Sequence, residues 1–175
     1  MTLALVLLVT LAALVGIAGL RLAQMRSTPM AVARGVPAAG SAGLPQLEVS
    51  ADAWSDPLGQ SVADALGNYF DAINNHDYAA WVATVTPAFA ASNPEAQWEK
   101  RYQTSRVGNI RLSRIDQAEP GRLLAMVTFV STQSVAEAPA GAKSGRVCWG
   151  LTFPVVGNPP KIDNPGIGNV MLAGC

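Results

Sequence analysis

The sequence is poor in charged side chains and has a single histidine, His76. Charged residues make up 14% of its 175 residues, against about 25% in an ordinary soluble domain. The 12 basic residues balance the 12 acidic ones, so no excess positive charge is left to neutralise the phosphates of a nucleic acid. We therefore expect no nucleic acid partner.

The residue types that build metal and catalytic sites are also scarce. One histidine and two distant cysteines, Cys148 and Cys175, give no spacing typical of a zinc site, and there is no glycine-rich phosphate loop or nucleophile elbow. No two carboxylates are placed for acid–base work, because Asp71 falls on the outer face of a predicted helix and Asp116 ends a predicted strand. The sequence predicts no catalytic residue, no metal site and no cofactor.

One long uncharged run stands at the start of the chain, from Thr2 to Leu20. At ~1.5 Å per residue, a helix of this length spans close to the ~30 Å hydrocarbon core of a bilayer. We predict a single-pass membrane anchor over residues 1–22. A cleaved signal peptide is the alternative, but the run is longer than a usual h-region, lacks a basic n-region and has no small-x-small site directly after it.

Residues 23–52 are rich in proline, glycine and alanine and show no apolar periodicity. This composition predicts a flexible linker that holds a folded domain, residues 53–175, away from the anchor.

The side of the membrane that holds this domain is left open by two conflicting observations. Arg21, Arg26 and Arg34 follow the anchor, which favours a cytoplasmic domain by the positive-inside rule. An even number of cysteines after an export-like segment instead favours a disulfide between Cys148 and Cys175, and disulfides persist outside the cytoplasm. The alternative is two unrelated thiols. We predict the disulfide and an extracytoplasmic domain at the cell membrane.

The first part of the domain has a helical pattern. Asp56 and Pro57 are typical of a helix start, and the apolar residues that follow recur at helical spacing: Leu58, Val62, Leu66, Tyr69, Phe70 and Ile73. Asn74 and Asn75 are suited to a left-handed helix end. We predict a helix from about Asp56 to Asn74.

Two shorter helices are predicted next. Asp77 is suited to capping a second helix that ends at Pro87. A third begins after Asn93-Pro94 and places Trp98 and Tyr102 one turn apart on one face.

After Arg106 the apolar pattern alternates, which predicts strands over residues 109–116, 123–135 and 146–156, with a turn at residues 119–122. In the third strand, the face opposite Cys148 carries Val147, Trp149, Leu151 and Phe153. We expect the C-terminal segment to cross the face that carries Cys148. Helices followed by antiparallel strands predict an α+β fold, with a curved sheet wrapped around the first helix.

The stretch "YFDAINNHDYAAW", Tyr69 to Trp81, followed by a helix and three long strands, resembles the NTF2-like (cystatin-like α+β barrel) superfamily. The first helix of that family commonly ends in an aromatic-x-x-[AI]-x-N-x-x-D elbow. The layout is also similar to exported members such as Mce-associated membrane proteins and VirB-type secretion subunits. From Trp54 to about Val156, the resemblance implies a cone of helices packed on a curved antiparallel sheet.

The resemblance also allows a test for catalysis. Ketosteroid isomerase-like members use a tyrosine, an aspartate base and a second acid; here Tyr69 matches the tyrosine, Asn93 occupies the base position, and residues 146–153 contain no acid. Dehydratase-like members use a His/Asp pair, but His76 lies in the elbow beyond the helix. The resemblance therefore implies no catalytic site, and Tyr69 is predicted to be a core residue.

The aromatic residues leave two functional hypotheses. A filled core favours a non-catalytic cell-envelope protein that acts by protein–protein interaction through a membrane-anchored extracytoplasmic domain. A cavity of several hundred cubic ångströms with a polar base favours a module for a small apolar ligand, or an isomerase- or dehydratase-type enzyme. The candidate pocket residues are Tyr69, Trp81, Trp98, Tyr102, Trp149 and Phe153.

Overall fold

The structure is a computed structural model that describes residues 40–139, 142, 144–166 and 170–175. In this part of the chain the elements follow in the order β1 (Leu47–Val49), α1 (Ala51–Trp54), α2 (Gly59–Asn75), α3 (Tyr78–Thr84), α4 (Pro87–Ala91), α5 (Glu95–Tyr102), β2 (Arg106–Glu119), β3 (Arg122–Thr132), β4 (Arg146–Val156), β5 (Lys161–Ile162) and β6 (Val170–Gly174). The predicted anchor, residues 1–22, lies outside the described residues, as does the linker up to residue 39. Among the helices described, none has the length and apolar character to cross a membrane.

The strands form one curved, unclosed sheet in the order β1-β2-β3-β4-β5, with β6 also paired to β4. The long strands β2, β3 and β4 are antiparallel, and β1 adds a single parallel pair. Shifts in register between β2 and β3, the first between Gly108 and Arg111, are of the kind that bends a strand. The predicted α+β class is confirmed. β3 is shorter than predicted, because Val135 belongs to a 3-10 turn, Val135–Glu137.

Strand β1 lies inside the stretch that the composition assigned to the linker. Leu47 pairs with Ile110 of β2, and the backbone N–H of Asn109 donates to the carbonyl of Leu44 at 2.8 Å. A Cβ on Gly108 would meet the carbonyl oxygen of Gly43 at 2.5 Å, so the two backbones lie against each other. The ordered domain therefore begins before residue 53, since backbone pairing with β2 needs no apolar periodicity.

The long helix α2 begins at Gly59, three residues later than predicted. The carboxylate of Asp56 accepts a hydrogen bond from the backbone N–H of Leu58 at 2.8 Å, which forms a turn ahead of the helix. The buried face of α2 then packs on the concave side of the sheet through residues of the predicted stripe: Val62, Leu66, Tyr69, Phe70 and Ile73.

The end of α2 differs from the prediction in which residue turns the chain. His76, with φ 55°, has the left-handed conformation that we assigned to the asparagines. Asn74 instead uses its side-chain amide to bind the backbone of Val107. Asp77 caps α3 as predicted, because its carboxylate accepts from the N–H of Ala80 at 2.9 Å.

The predicted second helix is confirmed as α3, which ends at Thr84, three residues before Pro87, and a short helix that was not predicted follows it. Pro87 begins α4, and the hydroxyl of Thr86 caps that helix by accepting from the N–H of Phe89 at 3.2 Å. Proline lacks only a hydrogen-bond donor that the first helical position does not need, so it can start a helix as well as stop one. The next helix, α5, starts after Pro94 as predicted.

We had expected the C-terminal segment to cross the face of β4 that carries Cys148. Instead, it forms a strand that lies beside β4. β6 pairs antiparallel with residues 147–151 of β4, which satisfies backbone groups that this edge would otherwise leave exposed. The pairing brings Cys175 to Cys148 with their α-carbons 5.7 Å apart, and the two residues form the predicted disulfide.

Candidate ligand-binding cavity

The helices and the concave side of the sheet enclose a cavity of about 360 Å³. This volume lies within the range of small-molecule sites. Its lining comes from α2, α5, β2, β3, β4 and the segments next to them: Tyr69, Phe70, Ile73, Arg101, Tyr102, Ser105, Val107, Phe129, Ser131, Gln133, Glu137, Pro139, Trp149, Leu151 and Phe153. The space between the helices and the curved sheet is therefore not filled by side chains.

One wall of the cavity is aromatic and rigid. The ring of Phe70 lies 5.0 Å from that of Phe129 and 6.0 Å from that of Phe153. Phe129 also stacks on Trp149, with ring centroids 5.7 Å apart and an angle of 14° between the planes. Buried rings in mutual contact have few alternative rotamers, so this wall offers a preformed apolar surface.

A second part of the lining carries hydroxyl groups beside a positive charge. Burial raises the pKa of Tyr69 well above its ordinary value, and the neighbouring Tyr102 raises it further. Burial also raises the pKa of Tyr102, although the charge of Arg101 and hydrogen bonds from Tyr69 and Arg101 lower it in part. Both tyrosines are therefore protonated at neutral pH and can donate hydrogen bonds.

The guanidinium of Arg101 donates hydrogen bonds to two neighbouring side chains, Tyr102 and Asn93. Its Nη1 donates to Oδ1 of Asn93 at 2.7 Å. Asn93 is buried, and its own Nδ2 donates to the carbonyl of Phe89 at 3.0 Å. Asn93, which the resemblance matched to a base position, thus supports Arg101 and does not line the cavity.

Strand β3 contributes one further polar group, Ser131, and Gln133 directly after the strand contributes another. The indole N–H of Trp149 donates to Oγ of Ser131 at 2.7 Å, so the serine hydroxyl keeps its own hydrogen to donate. Nε2 of Gln133 is buried and has no hydrogen-bond partner within the described part of the chain. A buried donor without a partner is costly, which makes Gln133 an available contact for a ligand.

The one acid in the described lining is Glu137, and its carboxylate is already engaged. Its Oε1 accepts from Gln103 at 2.5 Å and its Oε2 accepts from the hydroxyl of Thr104. The hydrogen bond from Thr104 is the main cause that lowers the pKa of Glu137, and the bond from Gln103 adds to it. Glu137 is therefore ionised at neutral pH and a weak base.

The structure brings four of the six candidate pocket residues to the cavity: Tyr69, Tyr102, Trp149 and Phe153. Trp81 and Trp98 lie elsewhere. Their ring centroids are 5.8 Å apart, and both are buried in an aromatic cluster with Tyr78 and Phe89 that packs the helices together. Helical spacing marked both tryptophans as buried but gave no distinction between the core and the cavity wall.

Several lining residues escaped the sequence analysis. Phe129, Ser131 and Gln133 alternate along β3 and its extension, so the strand period itself carried a signal for a shared face. Arg101 precedes Tyr102 on α5 and was overlooked because an exposed arginine is ordinary on a helix surface.

The other residues weighed for chemistry lie outside this lining. His76 is exposed and accepts from Arg106 at 2.8 Å. Asp71 is exposed on α2, and Asp116 forms a surface ion pair with Arg114 at 2.8 Å. None of these side chains reaches the cavity.

No family model, curated protein or solved structure matches this chain. The fold and the cavity define an α+β domain with a partly apolar internal site, and membership of the NTF2-like superfamily stays a prediction.

Proposed function

We propose that this chain is a non-catalytic binding module that holds a small, mostly apolar molecule in the cavity of an NTF2-like cone. The observation that carries the proposal is the cavity itself, about 360 Å³ with an aromatic wall and a few polar groups. Sites for small molecules have this composition, because the apolar surface supplies affinity and the polar groups fix orientation.

Binding is favoured over catalysis by the chemistry of the polar groups. Tyr69, Tyr102 and Arg101 are hydrogen-bond donors at neutral pH, and donors hold an acceptor but do not remove a proton. Glu137 is the acid in the described lining, and its two oxygens already accept hydrogen bonds. An isomerase or dehydratase mechanism would need a base that these residues do not provide.

We further propose that the module is tethered to the cell membrane by residues 1–22 and faces an extracytoplasmic space. The disulfide between Cys148 and Cys175 supports this location, because such bonds persist in oxidising compartments.

A protein-binding role in the cell envelope is a second candidate, and the edge strand β6 favours it. Within the described residues β6 pairs with β4 alone, and its Met171 is 53% exposed. An edge strand with exposed apolar side chains can add a strand from a partner. Crosslinking of the anchored protein in membranes, followed by recovery of its partners, tests this role. Capture that is abolished by Met171→Lys would support it, and capture that is unaffected would oppose it.

The ligand-binding proposal is tested by filling the cavity. We expect the full chain to bind 4-phenylbutanol in equilibrium titrations followed by ligand-observed NMR. Leu151→Trp places an indole in the cavity and should weaken binding by on the order of tenfold, because the apolar contact surface is lost. Leu172→Trp on β6 is the matched control, since Leu172 lies outside the lining.

Far-UV circular dichroism of both variants checks that they remain folded. The proposal would be wrong if the native chain did not bind the probe, or if the two tryptophan variants bound it equally.

A further inference from the structure

The geometry points to a ligand with an acidic group: a carboxylate that meets Arg101 at the polar end, joined to an apolar body that lies against the wall of Phe70, Phe129 and Phe153. This inference rests on the proposed ligand-binding function and adds the chemical class of the ligand to it.

The charges in the lining favour an anion. Arg101 and Glu137 are its two described charged residues. The carboxylate of Glu137 accepts from Gln103 and Thr104, and neither described ion pair of the chain includes Arg101 or Glu137. Arg101 is thus left without a described carboxylate partner.

The guanidinium of Arg101 keeps unused hydrogen-bonding capacity. An arginine side chain has about five N–H donors, and the described hydrogen bonds of Arg101 to side chains go to Asn93 and Tyr102. Because the guanidinium and a carboxylate match as two parallel hydrogen bonds, an acidic ligand group is the partner best suited to the remaining donors.

The neutral polar groups of the cavity agree with this choice. Tyr69 donates to Tyr102, whose own hydroxyl hydrogen is retained at neutral pH, and Nε2 of Gln133 is a buried donor with no described partner. A carboxylate offers about four acceptor sites, so it can bind Arg101 and still accept from a second donor. An alcohol offers fewer acceptors, and a cationic ligand would be repelled by Arg101.

Two probes with the same apolar body test the inference. We expect 4-phenylbutyrate to bind the full chain on the order of tenfold more tightly than 4-phenylbutanol at pH 7, because a charge-assisted pair with Arg101 adds to the shared apolar contacts. Arg101→Met should remove this preference, because it weakens binding of the acid more than binding of the alcohol. Arg111→Met, at an exposed arginine of β2 outside the lining, is the matched control and should keep the preference.

Further measurements distinguish the inference of an acidic ligand from the proposed binding function. Gln133→Leu should weaken binding of the acid more than binding of the alcohol. The preference should also disappear as the pH falls below about 4, where a carboxylic acid becomes neutral. Equal binding of the two probes by the native chain, or a preference that survives Arg101→Met, would overturn the acidic ligand while the binding function stood. Failure of both probes to bind would overturn the proposed function as well.

Discussion

Asn74 shows what the polar elbow after the long helix does. Its Nδ2 donates to the carbonyl of Val107 at 2.9 Å, and its Oδ1 accepts from the N–H of the same residue at 2.7 Å. The side chain therefore pairs with the start of β2 as a neighbouring strand residue would. This contact fixes the end of α2 directly after Ile73, which lines the cavity. The elbow therefore positions the cavity wall.

Replacement of Asn74 should therefore destabilise the domain. Asn74→Ala leaves two part-buried backbone groups without their partner, and we expect the free energy of unfolding to fall by about 1–3 kcal/mol. Denaturant titration followed by circular dichroism measures it. Asn75→Ala, at the exposed neighbour, should stay within about 0.5 kcal/mol of the native chain. Equal losses for the two variants would show that the contact with Val107 contributes nothing specific.

Single residues also show how far the sequence could define the site. Tyr69, Tyr102, Trp149 and Phe153 were predicted as pocket candidates and line the cavity, whereas Trp81 and Trp98 were predicted with them and fill the core. Periodicity identifies the buried face of an element, but the depth of a side chain within that face depends on which rings meet it from other elements. No spacing in one helix carries that information.

At the scale of elements, side-chain patterns predicted more than backbone pairing did. The helical stripe of α2 was visible because that helix buries one face, and β4 was visible because its apolar residues alternate in the sequence. Strand β1 was missed since it is held by hydrogen bonds from its backbone to β2. Helix α4 was missed because Pro87 is compatible with either end of a helix. Elements without a long apolar face therefore left little trace in the sequence.

Asp163 joins elements that are distant in the chain. Directly after β5, its Oδ1 accepts from the hydroxyl of Thr86 at 2.8 Å and its Oδ2 lies 3.5 Å from Nη1 of Arg122 at the start of β3. Burial raises the pKa of Asp163, but hydrogen bonds from Thr86 and the backbone of Asn164, together with the charge of Arg122, outweigh it and lower the pKa overall. The folded state therefore favours the ionised carboxylate.

This lowered pKa predicts a pH-dependent loss in Asp163→Asn. A carboxyl with a folded pKa below its unfolded value stabilises the protein above the unfolded pKa, near 3.8, and that contribution is lost as the pH falls through the folded pKa. We expect the variant to lose about 1–2 kcal/mol of unfolding free energy at pH 7. The gap from the native chain should narrow below about pH 4. Thermal unfolding between pH 3 and pH 7 measures it, and a gap that stayed constant with pH would refute the electrostatic cause.

At the scale of the whole domain, a residue at the start of β4 binds two segments that are distant from each other in the sequence. Arg146 is buried, and its Nε donates to the carbonyl of Ser41 at 3.0 Å while its Nη1 donates to the carbonyl of Cys175 at 3.0 Å. The disulfide lies two residues further along β4. The even number of cysteines after an export-like segment had predicted the disulfide. The pairing of β6 with the edge of β4 was not predicted, because it depends on backbone hydrogen bonds.

The cavity is also a property of the whole domain, so the sequence did not predict whether one is present. The sequence left two hypotheses open, a filled core and a ligand cavity. The outcome depends on whether the side chains of α2, α5, β2, β3 and β4 fill the space between the helices and the sheet. Here they leave about 360 Å³ unfilled. Close packing is a property of the assembled interior, so no single segment reports it.

The disulfide allows a direct test of the proposed location, because the oxidation state of its two cysteines in cells reports the compartment of the domain. If the domain is extracytoplasmic, the thiols of Cys148 and Cys175 are joined in cells, and a maleimide reagent added to the denatured chain should label them only after reduction. Reduction should lower the free energy of unfolding by about 3–4 kcal/mol, since the bond closes a loop across a sequence separation of 27. Cys148→Ser is the control, because its single remaining thiol should react without reduction. If both native thiols were labelled without reduction, the arginines after residue 20 would be the better guide, and the domain would belong on the cytoplasmic side.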